Sequence, residues 1–182
     1  MIKFFIEPDY VVKHPEREYG NAGVDFYIPS YSEAFAKAFN EKNLAENATM
    51  HINECRTGEA TRSDFIRIEP HGRANIPSGV RSRISPNVAL EAQNKSGIAT
   101  KHGLVYGAAT VDAAYKGVIH ISVVNTTNKA VELPLSMKIM QFIPRIIDTS
   151  NVEVYDNITL EEFYKDFEFT NRGEGAFGST GV

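Results

Sequence analysis

The residues Val118-Ile119-His120-Ile121-Ser122-Val123-Val124 indicate the fold class of this chain. Its isoleucines and Val123 fall on one face, whereas His120 and Ser122 fall on the other. This period of two is typical of a half-buried β-strand. The sequence therefore predicts a strand over residues 118–124, with His120 as a polar residue on its outer face.

Similar short patterns lie on both sides of this stretch. Phe65-Ile66-Arg67-Ile68 ends at a proline and a glycine, and residues 25–28 alternate before another proline. Residues 129–135 and 139–147 are rich in β-branched residues, and Pro134 and Pro144 are expected to break them. Many short strands separated by turn residues predict an all-β sandwich or jelly roll.

One region departs from the β pattern. Phe35 and Phe39 are four residues apart, and Ser30 with Glu33 fits a capping box, so a helix is expected to begin here. Residues 48–63 are polar and have no clear period. We therefore predict a helical and loop insertion over residues 31–63, and a second short helix over residues 160–167.

Length and composition restrict the class of protein. The 182 residues correspond to a single domain, 1–182, with ordinary fractions of apolar (42%) and charged (23%) residues. Lys and Arg number 19 and Asp and Glu 23, which gives a net charge of −4. A general nucleic-acid binder is expected to carry a basic excess. A small anionic ligand, bound by a few local cations, remains compatible with this charge.

Several other classes are disfavoured. Cys55 is the single cysteine, so neither an intrachain disulfide nor a cysteine zinc cluster can form. The five histidines have no ligand spacing, and the common phosphate-loop, dinucleotide and zinc-protease motifs are missing. No window approaches the roughly 20 apolar residues of a membrane span. The sequence predicts a soluble, cytoplasmic protein.

The last residues are unusually rich in glycine. Four of the chain's 13 glycines follow Arg172 in the final ten residues, so residues 171–182 are expected to form a flexible arm. Composition alone favours a disordered terminus. The alternative is a binding segment, because Arg172 offers a phosphate clamp and Phe177 an aromatic stacking face.

Five short segments resemble, in order, the five motifs of the trimeric dUTPase family. The last one matches that family almost residue for residue, and the resemblance covers nearly the whole chain outside residues 31–63. The segments are Ala22-Gly23-Val24-Asp25, Lys95-Ser96-Gly97-Ile98-Ala99, Gly107-Ala108-Ala109-Thr110-Val111-Asp112-Ala113-Ala114-Tyr115-Lys116-Gly117, Lys138-Ile139-Met140-Gln141 and Arg172-Gly173-Glu174-Gly175-Ala176-Phe177-Gly178-Ser179-Thr180-Gly181.

The resemblance implies a fold, an assembly and a reaction. Family members are jelly-roll homotrimers with active sites shared between subunits, and they cleave dUTP to dUMP and pyrophosphate. Asp112 matches the acid that activates the attacking water. A Mg²⁺ ion would be held chiefly by the triphosphate and water, and Asp25 would orient one of those waters.

The resemblance also implies a set of substrate contacts. A β-hairpin over residues 103–111 would read uracil, and Tyr115 would exclude a 2′-hydroxyl. Arg172 would hold the γ-phosphate and Phe177 would cover the base. The implied substrate-binding residues are Lys95, Ser96, Gly97, Gly107, Ala108, Thr110, Val111, Tyr115, Gln141, Arg172, Phe177, Gly178 and Ser179.

The chain departs from the family pattern at three places. Asn94-Lys95-Ser96 stands where members usually have Pro-Arg-Ser, and lysine lacks the bidentate fork of arginine. Ala113-Ala114 stands where members often carry another acid. The insertion 31–63 is the third departure; extra segments are frequent in viral members, so a phage origin and a host-cytoplasmic location are compatible with it.

Two alternatives stay open. A dCTP deaminase shares the fold and the trimer, but its catalytic glutamate falls where this chain has Ser122, which disfavours deamination. A non-catalytic dUTP-binding regulator, acting on a protein partner through residues 31–63, is the other.

Overall fold

The structure, a computed structural model, describes residues 1–43, 47–52, 64–150 and 152–165. In these residues β-strands far outnumber helices, which confirms the all-β prediction. The strands are Ile2–Ile6 (β1), Val24–Tyr27 (β2), Ala48–His51 (β3), Phe65–Ile68 (β4), Arg73–Pro77 (β5), Val80–Ile84 (β6), Val88–Asn94 (β7), Leu104–Tyr106 (β8), Thr110–Val111 (β9), His120–Asn125 (β10), Val131–Pro134 (β11) and Lys138–Ile146 (β12). The helices are Glu33–Lys42 (α1), Ser96–His102 (α2) and Leu160–Phe163 (α3).

The strands pair in antiparallel sheets. Their orders are β1-β6, β5-β10-β8, β11-β4-β3 and β2-β12-β7-β9. In the four-stranded sheet β12 lies between β2 and β7, and Phe26 packs edge-on against Phe142 at 4.8 Å between ring centroids. This order places the first, second and fourth of the quoted segments beside one another, although they are far apart in the chain.

The strand predicted over residues 118–124 is present as β10. It begins at His120, two residues later than predicted. Ile121 and Val123 are fully buried, as the alternation predicts. The predicted polar face is wrong, because Ser122 is also buried and His120 is half-buried. The reason is the surroundings of Ser122: its hydroxyl donates to Asn75 on β5 and lies against Gly107, so this face of the strand is covered as well.

Pro144 was predicted to break the last long strand, and this prediction is wrong. It lies within β12, opposite Leu90 of β7. The ladder between β12 and β2 ends at Phe142, so one edge of β12 is open beyond that point. A proline, which has no N–H to donate, is tolerated at such an open edge. Pro134, in contrast, ends β11 as expected.

The predicted helix of the insertion is present, but its predicted cap is wrong. The Ser32 hydroxyl, not that of Ser30, accepts a hydrogen bond from the Phe35 backbone amide at 3.2 Å and so caps α1. The Ser30 hydroxyl instead lies 2.5 Å from that of Ser136. Phe35 and Phe39 are fully buried in the main core, so α1 is an integral part of the fold.

The predicted loop after this helix is wrong for its first residues. Residues 48–51 form β3, which pairs with β4 at the edge of the β11-β4-β3 sheet. His51 stacks on Phe65 at 4.7 Å, with an angle of 10° between the ring planes. No local pattern in residues 48–51 indicates this strand, since cross-strand pairing supplies its stability. Residues 53–63 lie outside the described part of the chain.

The chain divides into two compact units, Met1–Ile147 and Asp148–Val182. In the second unit, α3 starts at the predicted position and has a capping box of Thr159 and Glu162. The predicted end of this helix, at residue 167, and the predicted arm 171–182 lie outside the described residues. Within the described residues, no helix is long and apolar enough to cross a membrane.

Candidate active site

A cleft of about 490 Å³ in the first unit brings together residues of three of the quoted segments. Its lining carries three lysines and a histidine, and among the described residues it includes no carboxylate. On a chain with a net charge of −4, such a cleft is a local site for an anion. The lining residues are Asn21, Ala22, Lys95, Ser96, Gly97, Ile98, Lys101, His102, Met137, Lys138 and Gln141.

The cleft depends on close contact between two strands. A Cβ atom at Gly23 would lie 3.1 Å from the Phe142 carbonyl oxygen and 3.2 Å from Gln141 Oε1. The glycine before β2 therefore lets the chain approach β12 closely. In the antiparallel register Val24 lies opposite Phe142, so this approach sets Gly23 against the middle of β12.

A buried carboxylate lies under the cleft. Asp25, on β2, is 6% exposed. Lys95 Nζ donates to its Oδ1 at 2.6 Å, and Lys138 Nζ lies 3.1 Å from its Oδ2. Burial raises the pKa of the Asp25 carboxyl, but the two ammonium groups outweigh burial and hold that pKa below its ordinary value. Asp25 is thus ionised, and its negative charge is balanced by the neighbouring ammonium groups before any ligand binds.

Lys138 has further partners on its other side. Its ammonium lies 3.5 Å from Glu16 Oε2 and 5.4 Å from the centroid of the Tyr27 ring. The Tyr27 hydroxyl donates to the same Glu16 carboxylate at 2.5 Å. The hydrogen bond to Asp25, followed by that to Tyr27, raises the pKa of Lys138, which is therefore a permanent cation.

Ser96 and Gly97 begin α2 at the mouth of the cleft. A Cβ atom at Gly97 would meet no other atom within 4 Å, so packing does not explain the glycine. Lys95, the residue before the helix, makes no side-chain cap bond and directs its ammonium to Asp25 instead. Gln141 Nε2 lies 3.5 Å from the Asn94 carbonyl oxygen.

The predicted uracil-reading hairpin over residues 103–111 is not a hairpin in this structure. Its two strands pair with different neighbours: β8 pairs with β10 and β9 with β7. The turn between them therefore joins two sheets. Asn94 Oδ1 accepts a hydrogen bond from the Tyr106 backbone amide at 2.8 Å, which connects this turn to the end of β7.

Gly107 has a packing role in this turn. A Cβ atom there would lie 2.6 Å from Ser122 Oγ, and the Gly107 amide donates to the Ser122 carbonyl at 2.9 Å. Ser122 Oγ itself donates to Asn75 Oδ1 at 2.8 Å. Ser122, the position considered for a deaminase glutamate, is therefore a buried packing residue without acid–base chemistry.

Asp112 and Tyr115 lie in a turn just after β9. Asp112 is exposed, and its carbonyl accepts the Tyr115 amide at 3.1 Å. Tyr115 is 41% exposed, lies against Gly117, and donates its hydroxyl to the Val118 carbonyl at 2.9 Å. Val111 is buried opposite Leu90, which leaves its backbone, rather than its side chain, for a ligand.

The cleft gathers only part of the predicted site. Lys95, Ser96, Gly97 and Gln141 line it, whereas those predicted between 107 and 115 are not among its described lining. These are Gly107, Ala108, Thr110, Val111, Asp112 and Tyr115. Four further predicted residues, Arg172, Phe177, Gly178 and Ser179, lie outside the described residues.

Several lining residues had no predicted role: Asn21, Lys101, His102, Met137 and Lys138. A sequence signal existed for one of them. Lys101 follows Gly97 by four residues, which places both on the same face of a helix. Lys138 opens the fourth quoted segment, but its side-chain direction depends on the pairing of β12 with β2.

The described residues do not form a metal site of their own. No three His, Cys, Asp or Glu side chains come together among them. Asp25, the predicted holder of a metal-bound water, has both oxygens engaged by ammonium groups. An ammonium group stands at each oxygen and the carboxylate is buried, so Asp25 in this arrangement does not fit that role.

Comparison with known proteins settles the family. The dUTPase family model matches residues 61–181. The chain belongs to the dUTPase family. A deoxyuridine 5'-triphosphate nucleotidohydrolase of Roseobacter denitrificans is 30% identical over 118 residues, 64% of this chain and 72% of that protein. One from Finegoldia magna is 31% identical over 149 residues, 80% of this chain and 97% of that protein. This dUTPase-family protein is a hydrolase.

A solved structure agrees on the fold. The dUTPase of Staphylococcus bacteriophage 80alpha, in a mutant form with dUpNHpp, aligns with a TM-score of 0.67 at 16% identity. The alignment covers all of this chain and 99% of that one. It supports the jelly roll predicted from the sequence.

Proposed function

We propose that this protein hydrolyses dUTP to dUMP and pyrophosphate. The observation that carries the proposal is the cationic cleft, in which Lys95, Ser96 and Gln141 of the family motifs meet. Membership of the dUTPase family supports the choice of nucleotide. The cleft supplies charges and hydrogen-bond donors of the kind that bind phosphate.

The cleft residues have separate tasks in this proposal. Lys95 and Lys138 act as point charges for the triphosphate. The Ser96 hydroxyl and the amide of Gly97 donate to phosphate oxygens, and the absence of a side chain at Gly97 leaves room for this approach. Gln141 adds an amide donor at the same wall.

The residue that activates the attacking water in this proposal, Asp112, lies in the turn after β9. The Asp112 carboxylate takes a proton from a water molecule, whose oxygen attacks the α-phosphorus. The bond from the α-phosphorus to the bridging oxygen breaks, and pyrophosphate leaves with its electron pair. The exposed Asp112 can align this water by one hydrogen bond. Tyr115 lies under the deoxyribose and the turn from Gly107 to Thr110 presents backbone groups to uracil.

The assembly in this proposal is a homotrimer with shared sites. Asp112 and Tyr115 are not among the described residues of the cleft in their own chain, which supports a site completed by another copy. The C-terminal arm with Arg172 and Phe177 would close over the nucleotide and exclude water.

Mg²⁺ enters the proposal as an ion that accompanies the triphosphate. Mg²⁺ keeps several waters and commonly binds through substrate phosphates, so it does not need a protein cage. Because Asp25 does not fit as its holder, none of the steps above depends on a metal contact from this chain.

A substrate panel tests the proposal. Pyrophosphate release is measured from dUTP, dTTP, dCTP and UTP, with and without Mg²⁺. We expect release from dUTP, with little from the other three nucleotides. Ammonia release from dCTP would instead indicate a deaminase, against which the buried Ser122 already argues.

The regulator remains the second candidate function. The observation that favours it is β3, which places part of the insertion at a sheet edge, where a partner strand can pair. Binding of dUTP without any hydrolysis, together with a partner interaction lost on shortening residues 31–63, would support it over the enzyme.

A further inference from the structure

Asp25 joins two cations that reach the cleft from different elements. Lys95 comes from the junction of β7 and α2, and Lys138 from the start of β12. Their ammonium groups meet at the two oxygens of one carboxylate, at 2.6 and 3.1 Å. The Asp25 side chain is only 8% exposed, whereas the lysine side chains are 27% and 30% exposed. The carboxylate is thus covered and the cations face the cleft.

This arrangement suits the binding of phosphate. An ammonium group has three N–H donors, so a bond to Asp25 leaves others for phosphate oxygens. A lysine side chain that is mobile before binding loses rotamer entropy when the ligand fixes it. Holding both lysines before the ligand arrives reduces that cost, which is the general benefit of pre-organisation.

We propose that Asp25 is a positioning residue that fixes Lys95 and Lys138 as a pair of phosphate-binding cations, instead of holding a metal-bound water. The proposal rests on the proposed function, since it assumes that the cleft takes the triphosphate. Glu16 helps to hold Lys138 from the far side of its ammonium group, and the Glu16 carboxylate also accepts a hydrogen bond from the Tyr27 hydroxyl.

The two roles of Asp25 differ in their dependence on metal. A carboxylate that positions lysines acts whether or not Mg²⁺ is present. A carboxylate that orients a metal-bound water acts only in the presence of Mg²⁺. Binding measured without metal therefore distinguishes them.

The experiment compares wild type with Asp25→Asn by calorimetry, in EDTA and in Mg²⁺. The ligands are dUpNHpp and inorganic pyrophosphate. We expect the substitution to weaken dUpNHpp binding about tenfold in EDTA, a loss of about 1.4 kcal/mol, and by the same factor in Mg²⁺. An affinity that is unchanged or tighter in EDTA and falls only in Mg²⁺ would overturn the proposal.

A double-mutant cycle tests the coupling. Because Asp25 acts in part through Lys138 and in part through Lys95, the combination of Asp25→Asn with Lys138→Met should lose clearly less affinity than the sum of the two single losses. In turnover, the loss should raise KM more than it lowers kcat. Additive losses, or a loss confined to kcat, would contradict the positioning role.

Two further variants serve as controls. Glu132→Gln removes the carboxylate of a different ion pair, the one with Arg67. Glu132 lies on β11 and is not part of the cleft lining, so this variant should leave the affinity for dUpNHpp unchanged. If Asp25→Asn does not fold, Glu16→Gln is measured instead, with the same independence of Mg²⁺ expected. Wild-type protein that binds neither ligand would overturn the proposed function itself, whereas a wrong metal dependence overturns only the role of Asp25.

Discussion

Among single residues, Asp112 is the one proposed to carry the chemical step. It is exposed just after a buried strand residue, Val111, so its carboxylate is free to meet water while its backbone is fixed by β9. We expect Asp112→Asn to bind dUpNHpp as wild type does and to lower kcat by about 10²–10⁴, the usual contribution of a general base. Calorimetry and pyrophosphate release measure the two effects, and wild-type turnover would contradict the assignment.

Tyr115 provides the second prediction at this scale. Its hydroxyl donates to the Val118 carbonyl and the same end of the ring lies against Gly117, so the ring is held at its hydroxyl end. Because the proposed contact with deoxyribose is made by the ring, Tyr115→Ala should raise the kcat/KM ratio of UTP to dUTP by about tenfold or more, equivalent to roughly 1.4 kcal/mol of discrimination. Tyr115→Phe keeps the ring and should retain the preference. An equal effect of both variants would assign the role to the hydroxyl.

At the scale of elements, two glycines of the quoted segments differ in their purpose. A methyl group at Gly107 would meet Ser122 Oγ, which donates to Asn75 on β5, whereas one at Gly97 would meet nothing within 4 Å. Gly107→Ala should therefore cost about 1–3 kcal/mol through overpacking. Gly97→Ala, in a helix, should leave stability unchanged or raise it by up to about 1 kcal/mol, and yet weaken dUpNHpp binding. Urea unfolding and calorimetry test the pair, and the opposite pattern would reverse the two roles.

The central strand β10 predicts a pH dependence of stability. Burial lowers the pKa of His120 below its ordinary value of 6.5, and nearby Lys42 lowers it further. Above that value both folded and unfolded states are neutral at this position. As the pH falls through 6.5, the unfolded state binds the proton first, so the free energy of unfolding decreases until the pH reaches the lower pKa of the folded state.

The measurement is urea unfolding at pH 7.5, 6.5 and 5.5. Replacement of His120 by Gln should reduce the loss of stability across this range, by about 1.4 kcal/mol for each unit by which the two pKa values differ. An identical slope in wild type and variant would show that His120 does not contribute.

At the scale of the whole molecule, the proposed site needs more than one chain. We expect light scattering to give a mass three times the 20.2 kDa of one chain. Deletion of residues 171–182 should keep that mass and the melting temperature but abolish turnover, because the arm is proposed to close the site rather than to build the core. A truncated protein with normal hydrolysis of dUTP would show that the arm is a terminus without a function.

The β class, the family and two of the three described helices, α1 and α3, could be predicted from the sequence, because these depend on local information. A period of two in β10, the spacing of Phe35 and Phe39, and the order of the five motifs are all visible along the chain. The same local patterns led to two wrong predictions, the helix cap at Ser30 and the break of β12 at Pro144. Local patterns do not show which distant residue a side chain or strand contacts.

Which residues share the cleft depends on how distant parts of the chain pack together. Lys138, Lys101 and His102 line it, and the buried Asp25 turns to the lysines, because β12 pairs with β2 and α2 begins where β7 ends. Similarly, β3 exists only because β4 pairs with it. Contacts between distant residues follow from the pairing of strands, and the free energy of such contacts depends on burial and geometry that no local pattern contains.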